Sequence, residues 1–191
     1  MPKTEEQCKQ MRDEMRSRIL KMSSLYFAKN GFGDTKISDL AKHIGIGQGT
    51  IYLYFRSKEE LFEEIRSNAD NRDEVKRIRT LSKLPISAKT KIEKISEEVV
   101  KRLQEEDYAV KITLYTQLLL EQENGLYRSD MYQVLAEIIK KGQKEGCVVK
   151  GDPLFLADLY WGTVYLYALK KLYIRDYMEL DAATLCRLLE V

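Results

Sequence analysis

The chain has 191 residues, 44% of them apolar and 32% charged, with ten glycines and three prolines. That is enough to bury a core as one large domain or two small ones, and the scarcity of proline and of β-branched runs indicates an all-helical protein. No stretch approaches the ~20 apolar residues of a membrane helix, and the opening MPKTEEQCKQMRDEM lacks the apolar centre of a secretion signal, so a cytoplasmic location is expected. The formal charge of +2 is unevenly spread. Residues 1–58 hold 11 Lys and Arg against 6 Asp and Glu, whereas residues 59–191 hold 21 against 24. A basic head on a slightly acidic body suits a domain that faces nucleic acid. Cys8, Cys147 and Cys186 follow no metal-ligand spacing, and the single histidine, His43, has no partner with which to build a triad or a metal site. The chain is therefore expected to be no enzyme and to need no cofactor.

In chain order, residues from about 6 to 30 read as a first helix with Ile19, Leu20, Ser23, Tyr26 and Phe27 inward and Gly31 closing it. Lys9, Arg12, Arg16 and Arg18 fit equally a solvated face and an extension that touches DNA backbone. Thr35 and Lys36 open a second helix, where a hydroxyl and an ammonium can reach phosphate. In ISDLAKHIGIGQGTIYLYFRSK, Ile37, Leu40, Ala41 and Ile44 line one helical face, Gly45 stands where a left-handed cap is wanted, and Ile46 and Ile51 anchor a further short helix from Gln48 to Tyr54. Two short helices crossing at a glycine turn are a helix-turn-helix, whose second helix reads the major groove. Gln48, Gly49 and Thr50 head that helix. Tyr52 and Tyr54 cannot both join the core filled by Ile51 and Phe55, which leaves at least one phenol for DNA.

Ser57 and Glu60 form an S-x-x-E capping box for a helix running to about Leu81, with Lys58 in its first turn placed for a second phosphate. Beyond Ile65 this helix has only Ala69, Val75 and Ile78 apolar, so it reads as a bridge whose charge run is a wet face. Leu84-Pro85 breaks the pattern. A helix with Ile92, Ile95, Val99 and Leu103 inward follows, then one capped by Asp107 and running past Tyr115 to about Glu121. The next is capped by Ser129 and closed by Gly146. Asp152-Pro153 starts a helix, Leu154 to Leu172, that is apolar nearly all round and so needs cover on two sides, with Gly162 allowing close approach. A last helix capped by Asp181 carries Leu185, Leu188 and Leu189. These last two helices are expected to pair with those of a second subunit. Tyr115, Trp161 and Tyr165 are candidates for lining an apolar pocket and offering it hydrogen bonds.

The segment GFGDTKISDLAKHIGIGQGTIYLYFRSKEELF resembles the DNA-binding signature of the tetracycline-repressor (TetR/AcrR) family of bacterial transcriptional regulators, over about residues 16–65. The resemblance implies an all-α chain of about nine helices. A three-helix DNA-binding domain (1–58) would be joined through a linker helix (58–81) to a ligand-binding and dimerisation domain (59–191). It implies a homodimer on a palindromic DNA site, responsive to a small apolar or aromatic effector and more readily a repressor than an activator. The expected DNA-facing residues are Thr35, Lys36, Gln48, Gly49, Thr50, Tyr52, Tyr54 and Lys58. A ligand-independent architectural DNA binder and an activator of the same fold are the alternatives, and an enzyme built on this fold is opposed by the lack of any catalytic constellation.

Overall fold

A computed structural model describes residues 4–69 and 72–191 and divides the chain into two compact units, Met1–Ala69 and Asp70–Val191. Among the described residues the regular structure is helical, with eleven segments and one isolated bridge between Val148 and Glu190.

The first unit contains α1 (Glu5–Asn30), α2 (Ile37–Ile44), α3 (Gln48–Tyr52) and α4 (Lys58–Ala69). Helix α1 begins with a reciprocal cap: Thr4 Oγ1 accepts from Gln7 N–H, and Gln7 Oε1 accepts from Thr4 N–H. Its first ten residues are exposed on every side; burial begins at Ile19 and continues through Ser23, Phe27 and Ala28. Leu20 and Tyr26, expected inside, are only half-buried. Around this stripe gather Leu40, Ala41 and Ile44 of α2, Ile51 of α3, Phe55, and Leu61 and Ile65 of α4, all buried. Each such side chain contributes roughly 1.5–3 kcal/mol of transfer free energy. Phe62 stacks on Phe32 at 4.2 Å and meets Phe27 edge-on at 5.4 Å, which ties α4 to the end of α1. Because α4 supplies core side chains, the compact unit extends to Ala69.

The second unit contains α5 (Arg72–Ser82), α6 (Ala88–Leu103), α7 (Glu106–Leu120), a single turn α8 (Gly125–Arg128), α9 (Asp130–Glu145), α10 (Pro153–Tyr173) and α11 (Ala182–Arg187). Helix α10 is central and packs on α7 and α9; α5 lies on α9, and α11 on α6. Caps fall close to their sequence signals. Asp152 accepts from Phe155 N–H and Asp181 from Thr184 N–H, each through a carboxylate oxygen, and Gly146 closes α9 in the left-handed region. Ser129 does occupy the α9 cap position, but its hydroxyl donates back to Leu126 O. The α7 cap position is Glu105, which leaves Asp107 in the first turn, where its charge favours the helix dipole. The turn α8 and the division of residues 58–82 between α4 and α5 account for more segments than the nine expected.

Two expectations for this unit are corrected. The charge run of α5 is not wholly a wet face, since Glu74 is 5% exposed and pairs with Arg102 of α6. The last helix is also not a free apolar surface. It is six residues long, and Leu185 and Leu189 are fully buried within their own unit, leaving Leu188 alone partly exposed.

Candidate nucleic-acid interface

The turn between α2 and α3 is built from backbone outward. Gly45 adopts φ 77° and ψ 36°, a left-handed conformation that a Cβ would oppose, and its N–H returns to Ala41 O. Arg18 of α1 donates to Ile44 O at 2.8 Å and so satisfies a carbonyl at the end of α2. Ile51 and Phe55, four residues apart and both buried, pin α3 from one side. Geometry then forces the intervening residues outward: Tyr52 is 48% exposed, Leu53 is 83% exposed, and Tyr54 is half-buried. Gln48 and Gly49 are exposed and Thr50 half-exposed at the head of α3, while Lys36 is exposed just before α2. These side chains make one outward surface of amide, hydroxyl, phenol and ammonium groups around the exposed Leu53, able to donate to phosphate and base edges and to meet a thymine methyl.

Other cations of this unit hold the scaffold instead. Lys58 Nζ donates to Phe32 O (3.0 Å), Gly33 O (3.4 Å) and Thr35 O (2.9 Å), and lies 4.3 Å from the centre of the Phe32 ring. Those three carbonyls match its three N–H bonds, so Lys58, expected to face a phosphate, forms a staple across the α1–α2 loop in this structure. Thr35 is likewise internal: it is 5% exposed and its hydroxyl donates to Gly31 O at 2.6 Å. Arg16 forms a two-pronged pair with Glu64 of α4 and lies over the Phe55 ring at 5.0 Å. Within the basic group on α1, Lys9, Arg12 and Arg18 are exposed and Arg16 is half-buried. The capping box of α4 is half made, with Ser57 Oγ accepting from Glu60 N–H while the Glu60 carboxylate accepts from Arg56 N–H. Leu53 was missed by sequence reasoning, although the buried pair Ile51 and Phe55 was signal enough to turn it outward.

In the second unit, Trp161 is buried with Nε1 lacking a hydrogen-bond partner and with its ring edge-on to Tyr160 at 5.1 Å. Tyr115 and Tyr165 are half-buried. Burial raises the Tyr165 phenol while a hydrogen bond with Gln117 opposes the shift. Sequence reasoning also missed Tyr108 and Thr113 of α7, both buried with unpartnered hydroxyls. Burial pushes the Tyr108 phenol up strongly, and the nearby Glu74 carboxylate pushes it further. No sequence pattern marks a hydroxyl as unpartnered, because that depends on what distant helices place opposite it.

The family model for bacterial regulatory proteins of the tetR family matches residues 19–65, which takes in the C-terminal part of α1 from Ile19, all of α2 and α3, and α4 as far as Ile65. Residues 19–65 thus carry a DNA-binding domain of the tetR type. It is 41% identical over 59 residues to the HTH-type transcriptional regulator YdgC of Bacillus subtilis (strain 168), a match covering 31% of this chain and 30% of that one. It is 26% identical over 145 residues to the fatty acid metabolism regulator protein of the same organism, covering 72% and 73%. Among solved structures, the ketosteroid transcriptional regulator KstR2 of Mycobacterium tuberculosis superposes with a TM-score of 0.62 at 19% identity, covering 93% of this chain and 95% of that one. The head thus carries a helix-turn-helix of the tetR type and the all-helical fold is TetR-like, while the similarity to YdgC is confined to less than a third of either chain. No described helix is long and apolar enough to cross a membrane.

Proposed function

We propose that the protein is a cytoplasmic homodimeric repressor that binds a palindromic operator and leaves it when a small, largely apolar effector enters the C-terminal unit. The outward surface of α3 carries this reading: Gln48 and Thr50 read base edges, Leu53 meets a methyl group, and Lys36, Gly49, Tyr52 and Tyr54 hold phosphates. Two-fold symmetry sets the half-sites about one helical turn, ~34–36 Å, or a multiple apart. The pairing surface is the outer stripe of α10, where Phe155, Leu159, Gly162, Leu166 and Tyr173 are exposed at alternating separations of four and three residues, with Leu166 and Tyr173 seven apart. That spacing is a coiled-coil seam, and open space beyond Gly162 admits close approach of a second helix. The effector reading is favoured by the buried, unpartnered polar atoms of Tyr108, Thr113 and Trp161, since an unmade buried hydrogen bond is a cost that a ligand can remove.

The test is selection of fragments of the source genome by the purified full chain at physiological salt, with Tyr52→Ala in parallel. One enriched palindrome that the variant loses is the expected result. Weak, salt-sensitive binding without a consensus would replace the repressor with an architectural binder. Leu166→Glu should abolish dimers in sedimentation and operator binding with them; a dimeric variant would remove α10 from the interface.

A further inference from the structure

The strongest candidate outside the DNA-reading surface is the place where α5, α6 and α7 meet. Glu74 of α5 is almost wholly buried and accepts a hydrogen bond from Arg102 of α6. The Arg102 guanidinium lies 4.3 Å from the centre of the Tyr108 ring of α7. Tyr108 is itself 3% exposed, and its hydroxyl has no partner. A half-buried cation is therefore neutralised by a buried protein carboxylate beside a buried donor that the carboxylate does not use.

We propose that this junction is a receptor for the carboxylate of an apolar ligand, which takes the place of Glu74 on Arg102 and accepts the Tyr108 hydroxyl. The inference rests on the effector-responsive reading above and names the chemical class of the effector. A neutral ligand that displaced Glu74 would leave the half-buried Arg102 charge without its counterion, which partial desolvation makes unfavourable. An incoming carboxylate preserves the charge balance and makes one bond that Glu74 leaves unmade, so the exchange is downhill in hydrogen bonding. The exchange also has a mechanical consequence. Helix α5 also pairs Arg77 with Glu98 at 3.9 Å and Arg79 with Asp130 at 2.9 Å, and their side chains are about half exposed or more. Pairs of that kind hold weakly. Of its apolar side chains Ile78 is fully buried, with Val75 half-buried. Expelling Glu74 thus removes the most deeply buried of these ion pairs from a helix that follows α4 after only two residues, and the ligand acts through its differential affinity for the two placements of α5.

The test uses the full-length dimer, with the single Trp161 as fluorescence reporter and operator release as second readout. The probes are octanoate and 4-tert-butylbenzoate, each beside its primary amide. Expected are saturable binding of the acids, at least ten-fold weaker binding of the amides, and release of operator by acids alone. Tyr108→Phe keeps the ring under Arg102 and should weaken acid binding about ten-fold while leaving amide binding unchanged. Glu74→Gln should bind the acids more tightly and the operator less tightly without ligand. Equal binding of acid and amide, an unaffected Tyr108→Phe variant, or no binding of either acid at millimolar concentration overturns the proposal. Release of operator by the amides would overturn the carboxylate receptor yet leave the effector-responsive regulator standing, whereas failure of the unliganded wild type to select any operator would remove that broader reading.

Discussion

The two units use charged side chains with different emphasis. In the head, Lys58 and Arg18 donate to backbone carbonyls, and Arg16 locks α4 to α1 over the Phe55 ring. Backbone carbonyls neither titrate nor leave, so the Lys58 and Arg18 contacts set a fixed geometry for α2 and α3. In the body, charge joins helix to helix: Glu74 with Arg102, Arg77 with Glu98, Arg79 with Asp130. A carboxylate on one helix can be exchanged for another anion, so those contacts permit rearrangement. The difference suits the division of labour proposed above, a fixed reader and a body that responds to an effector.

The largest effect that would break this comparison is in the body. Glu74→Ala leaves a half-buried guanidinium without its carboxylate and should cost about 2–3 kcal/mol in urea unfolding. Arg79→Ala removes a pair whose side chains are 47% and 64% exposed, and should cost well under 1 kcal/mol. Equal costs would mean that the α5 pairs do not differ in kind and that Glu74 is not its principal tie.

Next comes the head. Lys58→Met removes a charged donor from three carbonyls and should lower stability by about 1.5–3 kcal/mol. The dependence of operator affinity on salt should stay as in the wild type at temperatures where the variant is folded, because a cation spent on carbonyls releases no counterions from DNA. A salt slope reduced by about one unit would instead return Lys58 to the phosphate role that its position in the sequence suggested. Smaller again, Gly45→Ala forces a Cβ into left-handed backbone and should cost about 1–2 kcal/mol. Arg18 Nη2, 3.9 Å from where that Cβ would stand, is not close enough to add a clash. Thermal melting of the variant checks this, and an unchanged midpoint would show that the turn can relax.

The same contrast explains what the sequence disclosed. The α2–α3 turn was legible because Ile37, Leu40, Ala41, Ile44, Gly45 and Ile51 lie within fifteen residues and obey one helical period. Caps at Asp152 and Asp181 were legible for the same local reason. Lys58 was misread because its partners lie 23 to 26 residues upstream. Glu74 was misread because Arg102 is 28 residues away, and nothing near Glu74 separates a buried carboxylate from a wet one. Thr35 was misread because a hydroxyl beside a helix start suits phosphate and an internal carbonyl equally well. Apolar periodicity sees helices; it does not see which polar group on one helix meets which on another.

The smallest effect sharpens the comparison through pH. Glu145, at the end of α9, accepts the Ala88 N–H of α6 at 2.7 Å and pairs with Lys141, whose own ammonium donates to Ile86 O at 2.8 Å. The Ala88 N–H chiefly, with help from Lys141, holds the Glu145 carboxyl below its ordinary value. A carboxyl depressed on folding contributes stability that is fully present above its ordinary range and is lost as pH falls through its folded value. Glu145→Gln should therefore melt below the wild type at neutral pH, and the gap should close as the pH falls below about 4.5, the ordinary carboxylate value. Thermal melting of both proteins from pH 7 to pH 3 measures that gap. The α1–α2 staple depends on a lysine and backbone carbonyls, so Lys58→Met should keep a constant gap over the same range. A Glu145→Gln gap that stayed constant would mean that the amide serves the α6 N-terminus as well as the carboxylate does. The junction of α6 and α9 would then belong with the fixed contacts of the head, and the exchangeable charge of the body would be confined to the helix that carries Glu74.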